Sequence, residues 1–358
     1  MGYSLQRRLL PAYQHHIRKL HKLNYIFFEL THRCNLTCLH CGSDCVSDTG
    51  LPDLPAEKVL EVLREIKKKH NSHTITVALS GGEPLVYPGI FELGKNIQAL
   101  EFPWGMVTNG FAWDKAKLKQ AEESGMLSVS VSLDGLQEDH DWLRGRKGSF
   151  KKATTAIRLL SNARFLQAMD VITCANQRNL DTLNDIADLL VGLGVTAWRI
   201  FTISPIGRAK EHEELFLSAE QYRQLLGKIR ELRKRTDIRV TLSESGYLGS
   251  QHELKVRNQY FFCSAGISTA GVMINGDMLA CPNIDRRFAQ GNVFSDSFLD
   301  VWENKYQLFR DRRWMKKDRC AACKEWKYCQ GGSFHLWSPD AATTKQCHFK
   351  DFELDLAE

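Results

Sequence analysis

Three cysteines spaced CxxxCxxC, Cys34, Cys38 and Cys41, follow the apolar run Tyr25–Leu30, and Ser80-Gly81-Gly82-Glu83-Pro84 stands further on. Three thiolates suit a [4Fe–4S] cluster in which the protein holds three irons and leaves the fourth open. With Cys45 as fourth ligand they would instead form a zinc knuckle; otherwise Cys45 reads as a free thiol beside the site. The paired glycines let backbone approach a ligand closely. Pro84 biases Glu83 to an extended conformation, from which its carboxylate should project into the barrel mouth. A second set, Cys320, Cys323, Cys329 and Cys347, supplies four thiolates. That is enough for a fully ligated cluster or for structural zinc. Cys263 and Cys281 add two more thiols, and Cys174 reads as an inert buried side chain.

The elements that must carry these residues are short β-rich runs alternating with helical patterns from Asn24 onward. Strands are expected at Tyr25–Leu30, Thr74–Leu79, Trp104–Thr108, Leu127–Leu133, Gln167–Thr173 and Ala197–Ile203. Helical stretches lie between them near 55–70, 89–99, 114–124, 149–162 and 180–192, with another at 218–235. Six β/α units imply a parallel sheet with right-handed crossovers. Six form an open, partial barrel with its site at the C-terminal strand ends. The motifs fall on those ends. Residues 5–22 read as a basic amphipathic helix, interrupted near Pro11, that caps the bottom of the main domain or meets a partner or membrane surface. After Arg239 the helical periodicity fades, so 245–358 reads as a separate cysteine-rich module that metal must stabilise. The division is therefore 1–23, 24–244 and 245–358.

Composition narrows the class. A net charge of +6 is too weak to argue for nucleic acid. No apolar run is long enough for a transmembrane span, and the basic N-terminus lacks the apolar core of a signal peptide. Eleven cysteines in such a chain point to metal ligation in a reducing, cytoplasmic compartment rather than to disulfides.

The CxxxCxxC loop followed by Gly-Gly-Glu-Pro resembles the radical SAM superfamily. The resemblance implies an α/β fold with a partial (β/α)6 barrel and a [4Fe–4S] cluster on Cys34, Cys38 and Cys41. It also implies S-adenosylmethionine on the open iron. His40 stands at the family's usual aromatic position beside the adenine. Gly81, Gly82, Glu83 and Pro84 would receive the amino group of the methionine moiety. Asn109, Ser132 and Asp134, at the third and fourth strand ends, would meet the ribose and carboxylate; alone, Asn-Gly and Asp-Gly are only turn signals. Arg144 would pair with the cofactor carboxylate, or would form a surface salt bridge. Thr173–Asn176 and Ser204–Arg208 fall where the family contacts adenine.

The C-terminal cysteines resemble the SPASM extension of peptide and protein maturases. One position departs from its pattern: Ser333 stands where the family has a cysteine that joins the Cys263 and Cys281 positions around a second auxiliary cluster. One auxiliary [4Fe–4S] cluster is therefore expected, on Cys320, Cys323, Cys329 and Cys347, with Cys263 and Cys281 packing as apolar side chains. The phrases Phe102–Gly110, Val131–Gly145 and Phe309–Met315 resemble a subgroup associated with a small lipoprotein.

The implied reaction is reductive cleavage of the cofactor to a 5′-deoxyadenosyl radical, which abstracts hydrogen from a peptide or protein encoded nearby. Epimerisation, cross-linking or oxidation would follow, with flavodoxin or ferredoxin as reductant. The N-terminal segment is too short for a fused winged-helix leader-binding domain, so recognition would fall to a separate protein or to the module. The alternatives are a radical SAM enzyme for a small molecule or cofactor such as a tetrapyrrole, and a non-catalytic iron–sulfur carrier.

Overall fold

Strand β4 (Ser128–Ser132) reads Ser-Val-Ser-Val-Ser, and its valines are buried while Ser128 and Ser130 stay partly open. That two-residue alternation places serines on one face and an apolar wall on the other, and it recurs along the sheet. In β1 (Tyr25–Thr31), Ile26, Phe28 and Leu30 are fully buried, whereas Tyr25 and Phe27 line a cavity. The computed structural model describes residues 3–243 and 246–354. The other strands of the same sheet are β2 (Thr76–Gly81), β3 (Trp104–Thr108), β5 (Ala168–Ala175), β6 (Ala197–Thr202), β7 (Arg239–Leu242), β8 (Thr269–Val272) and β9 (Met278–Leu279). They lie in the order β7-β6-β5-β4-β3-β2-β1-β8-β9. Every pair is parallel except β8–β9.

Arg199 of β6 lines the same cavity as Tyr25 of β1, although four strands separate β1 and β6 in the sheet order. Only a curled sheet brings them together, so the strands form a partial barrel whose open face is the cavity. Across its inner wall Ser130 donates to Asp170 at 2.6 Å and accepts from Arg199 at 2.8 Å. This polar rung ties β4, β5 and β6 together.

The crossover helices are α2 (Ala56–Lys67), α3 (Ile90–Ala99), α4 (Lys115–Glu123), α5 (Gln137–Leu143), α6 (Ser149–Ser161), α7 (Leu183–Gly192) and α8 (Ala219–Leu232). They follow α1 (Tyr3–Leu20). Their apolar faces, such as Val59, Leu63 and Ile66 of α2, complete the core. Helix α8 carries a full capping box between Ser218 and Gln221, which satisfies two otherwise orphaned backbone donors.

Three features differ from the sequence reading. A seventh parallel strand begins at Arg239, and the cysteine-rich segment then contributes β8, paired in parallel with β1 from Tyr25↔Thr269 to Phe28↔Val272. This segment is therefore joined to the barrel sheet through main-chain hydrogen bonds. An open β1 edge would expose unpaired backbone groups, which β8 covers. The expected boundary at 244/245 falls on Glu244 and Ser245, outside the described residues.

Helix α1 runs through Pro11 without interruption. A proline removes one helical hydrogen bond, and tertiary contacts offset it. Its contacts also place it on the C-terminal segment rather than under the barrel. Arg7 pairs with Glu325 at 2.8 Å, Gln14 donates to the Tyr328 carbonyl at 2.7 Å, and Arg18 donates to Gln330.

Candidate functional site

The loop after β1 is held in place before any metal enters it. The Cys34 N–H donates to the Val46 carbonyl at 2.8 Å, closing the loop at its base, and Arg33 pairs with Asp53 at 2.5 Å. Arg208, beyond β6, donates to the carbonyls of Cys38 (2.7 Å) and Cys45 (2.8 Å) and pairs with Asp44 at 3.0 Å. Preceding it, Gly207 sits at φ +56°, with the Cys41 carbonyl 2.3 Å from where a Cβ would stand. No side chain fits there. Arg208 thus clamps the cysteine loop, a role its place in Ser204–Arg208 did not reveal, because its partners lie more than 150 residues away in sequence.

Each of the three sulfurs meets at least one donor. Asn109 Nδ2 is 3.7 Å from Cys34 Sγ, Arg144 Nη1 is 3.7 Å from Cys38 Sγ, and the Cys45 N–H is 3.4 Å from Cys41 Sγ. Burial pushes the Cys34 thiol up to about 12 and raises Cys38, whereas hydrogen bonding from Cys45 brings Cys41 down to about 6. The three cysteines, His40, Gly82 and Ser132 line one cavity of about 220 Å³.

The geometry discriminates between one metal ion and a cluster. Among the described residues, the one group of three metal-ligating donors gathered within 4.8 Å of one another is His40, Asp134 and Cys174. Zinc bonded to thiolates at about 2.3 Å would draw the sulfurs to within about 3.8 Å. Neither cysteine set is that tight, and Cys45 is tied to Cys41 instead of standing as a fourth ligand. The wider spacing and thiol chemistry fit a multi-iron cluster. The His40 group already has its charge balanced, since Arg144 binds Asp134 at 2.5–2.6 Å. Burial also brings His40 down to about 4, so it is neutral.

Several expected cofactor contacts have other partners here. Arg144 is not a surface residue: it is buried with Asp134 in an ion pair whose side chains are 9% and 0% exposed. The Glu83 carboxylate does not project from the loop. It is fully buried and accepts from Thr108 Oγ1 (2.7 Å), the Asn109 N–H (2.7 Å) and the Leu85 N–H (3.2 Å). The extended backbone that Pro84 imposes directs the side chain inward, where it joins the ends of β2 and β3. Gly82 is pressed against the same region, with the Arg33 carbonyl 2.2 Å from its Cβ position. All three groups facing Glu83 are donors, so Glu83→Gln turns an amide NH₂ toward one of them. We expect a loss of about 1–3 kcal/mol, read as a lower denaturation midpoint at unchanged slope.

Residues 28–190 match the radical SAM superfamily, and residues 263–324 match the iron–sulfur cluster-binding domain SPASM. The mycofactocin maturase MftC of Mycolicibacterium smegmatis is 32% identical over 313 residues, spanning 85% of this chain and 76% of MftC. The chain is a SPASM-type radical SAM enzyme. The AdoMet-dependent heme synthase of Methanosarcina barkeri is 27% identical over 323 residues, covering 86% of this chain and 90% of that protein. In fold, it superposes on Streptococcus suis SuiB bound to precursor peptide SuiA with a TM-score of 0.71 at 17% identity, covering 95% and 80% of the two chains.

A radical SAM enzyme with a SPASM domain implies iron–sulfur groups beyond the first, and the two possible positions differ in fit. Cys320, Cys323 and Cys347 lie close enough to Cys329 that each of the three raises the cost of charging it. Burial raises Cys329 well above the ordinary thiol range, and its three companions add to the effect. Four convergent thiols suit one fully ligated cluster. Cys263, Cys281 and Ser333 also converge, on a cavity of about 340 Å³ walled by Phe262 and Phe334. There the third donor is a hydroxyl, buried and without a hydrogen-bond partner. Two thiols and a serine do not make a cluster site of the cysteine type, so a second auxiliary cluster does not fit this chain.

Proposed function

We propose that this radical SAM enzyme is a maturase that removes hydrogen from a carbon of a peptide or protein, leading to epimerisation, cross-linking or oxidation. Cys34, Cys38 and Cys41 would hold the [4Fe–4S] cluster that, with S-adenosylmethionine bound, supplies a 5′-deoxyadenosyl radical. The protein's own residues do the rest. Asn109, Arg144 and the Cys45 N–H steady the negative charge on the three sulfurs, and hydrogen bonds to sulfur favour the electron-rich state. Arg208 keeps the loop rigid. His40, Gly81, Gly82, Ser132 and the Asn109 side chain border the cavity, where we place the cofactor; buried walls there keep water from a reactive species. Pro84, Glu83 and Asp134 position these groups from behind. Cys320, Cys323, Cys329 and Cys347 would hold one auxiliary cluster.

The observation that supports a peptide over a tetrapyrrole is the 340 Å³ cavity between β1, β6 and the C-terminal segment. Its one guanidinium, Arg199, is already held by Asp170, and burial keeps His335 neutral, at about 4. Among the described residues, no cation in that wall is left to receive the carboxylates of an acidic macrocycle, while Tyr25, Phe27, Phe261, Phe262 and Phe334 suit apolar side chains. MftC is named a maturase, in line with this reading, while the Methanosarcina barkeri heme synthase is named for the small-molecule alternative.

None of the eleven cysteines, all of them among the described residues, is in a disulfide, which suits a reducing, cytoplasmic setting with a flavodoxin- or ferredoxin-type electron donor. No helix among the described residues is long and apolar enough to cross a membrane. We keep the division into a barrel at 24–244 and a cluster-bearing cover at 245–358, with residues 1–23 as the helix that braces the cover.

The test is anaerobic co-expression with each small open reading frame beside the gene, followed by intact-mass analysis. One peptide should lose hydrogen mass, or gain deuterium in heavy water. The variant with Cys34, Cys38 and Cys41 all changed to Ala should leave it untouched and form no 5′-deoxyadenosine above background. Cofactor cleavage by the wild type with no peptide altered would favour the small-molecule reading.

A further inference from the structure

Helix α1 contains no acidic residue between Tyr3 and Leu20. One of its flanks faces residues 307–313 across an open cavity of about 410 Å³ that the radical chemistry does not use. The wall is cationic: Arg18 and Lys19 come from the helix, and Arg310, Arg312 and Arg313 come from the opposing segment. Asp311 is the one carboxylate in that wall, and Arg313 already holds it at 2.5–3.0 Å. Glu303, whose charge favours that of Arg310, also meets His21 at 3.0 Å and His70 at 3.6 Å.

Among the described residues no carboxylate forms an ion pair with Arg310 or Arg312, and Glu303 supports the Arg310 charge only without direct contact. Arg310 is 6% exposed and donates only to the carbonyls of Gly266, Trp302 and Glu303. Arg312 is 2% exposed; its Nε donates to the Phe309 carbonyl at 3.2 Å and its Nη2 to the Cys263 carbonyl at 2.6 Å. Its Nη1 is buried and has no partner. Burial brings Arg310 down to about 10, and burial together with the Arg312 charge lowers Arg18. Carbonyl oxygens satisfy hydrogen bonds but do not neutralise a cation, and enclosing unneutralised charge is costly. A planar oxyanion offering paired acceptors relieves both deficits, because guanidinium groups bind carboxylate and phosphate in a bidentate manner.

We propose that this pocket binds an oxyanion, a carboxylate or phosphate group, carried by an acidic peptide segment or present as a free ion. The site is separate from the cysteine loop, and the inference does not depend on the radical reading. Its position joins α1 to the 307–313 segment, so occupancy also braces the N-terminal helix against the C-terminal segment.

The test uses the full, cluster-loaded chain under anaerobic conditions, with inorganic phosphate and tetraglutamate as probes. Binding is followed by calorimetry and by melting temperature, at ionic strength held constant with chloride. At least one probe should bind at one site and raise the melting temperature. Arg18→Gln combined with Arg313→Gln should weaken binding about tenfold or more, as expected for lost charge-assisted hydrogen bonds. That variant should form 5′-deoxyadenosine at the wild-type rate without probe. Lys68→Gln combined with Lys69→Gln, the same charge change elsewhere, should bind as wild type. Tighter phosphate binding identifies the free ion, and tighter tetraglutamate binding the acidic peptide. Absence of one-site binding by both probes overturns the proposal. So does an undiminished affinity in the Arg18/Arg313 variant, or an equal loss in the Lys68/Lys69 control.

Discussion

Ser333→Cys will add a cluster. The wild-type chain, reconstituted anaerobically, should hold about eight irons, four on the Cys34 loop and four on the Cys320 set; the variant should hold about four more. Position 333 already lies on one cavity with Cys263 and Cys281, so the substitution completes a triad of the kind that the Cys34 loop presents. Little opposes it sterically or energetically. The Ser333 hydroxyl has no hydrogen-bond partner to lose, and a thiol tolerates an apolar wall better than an unpaired hydroxyl does. Iron and acid-labile sulfide counts, with electron paramagnetic resonance of the reduced protein, make the measurement. A wild-type chain that already holds three clusters, or a variant that gains no iron, would contradict the reading of this cavity. The added cluster would also fill the space assigned above to substrate, so turnover of the peptide should fall while 5′-deoxyadenosine formation without substrate persists.

The second large effect concerns the buried pair behind Cys38. Arg144→Met leaves the Asp134 carboxylate fully enclosed with its cation removed. Breaking a buried pair on one side typically costs about 3–5 kcal/mol, whereas replacing both partners with apolar groups is often close to neutral. Arg144→Met alone should therefore unfold at a clearly lower denaturant concentration, and Arg144→Met with Asp134→Leu should recover most of the difference. Recovery of stability should not restore function. Both variants lose the N–H donor 3.7 Å from Cys38 Sγ, so the loop cluster should become harder to reduce. A redox titration followed by 5′-deoxyadenosine formation at fixed potential separates the two effects. A single variant as stable as wild type would remove the pair from the account.

How much of this was legible beforehand depends on how far apart the interacting residues lie. The Cys34–Cys41 spacing, the Gly-Gly turn and the six alternating β/α patterns are local, and each strand core was recognisable to within a few residues. Partners that meet across the sheet were not. Asn109 lies 75 residues from Cys34, and Arg144 lies 106 from Cys38. Their convergence follows from which strand ends are neighbours, and no periodicity records that. Glu83 misled for the same reason. Its backbone preference was readable, but the three donors that pull its carboxylate inward come from Leu85 and the end of β3. Pro11 reads as a helix breaker on propensity alone, and contacts with residues 325–330 override it.

Residue type and spacing alone determined the chemistry available to the chain, three thiolates that leave a cluster open and four that close one, while the resemblance to the SPASM extension marked Ser333 as standing where a further ligand is expected. Those are statements about donor atoms and short loops, which the chain carries wherever it folds. The tertiary structure decided which donors reach which sulfur, that β8 covers the β1 edge, and that Cys263, Cys281 and Ser333 share a cavity. It also decided that arginines from two distant segments gather around one cavity. Each of these depends on strand order and on the curl of the sheet, and both arise only when the whole core packs.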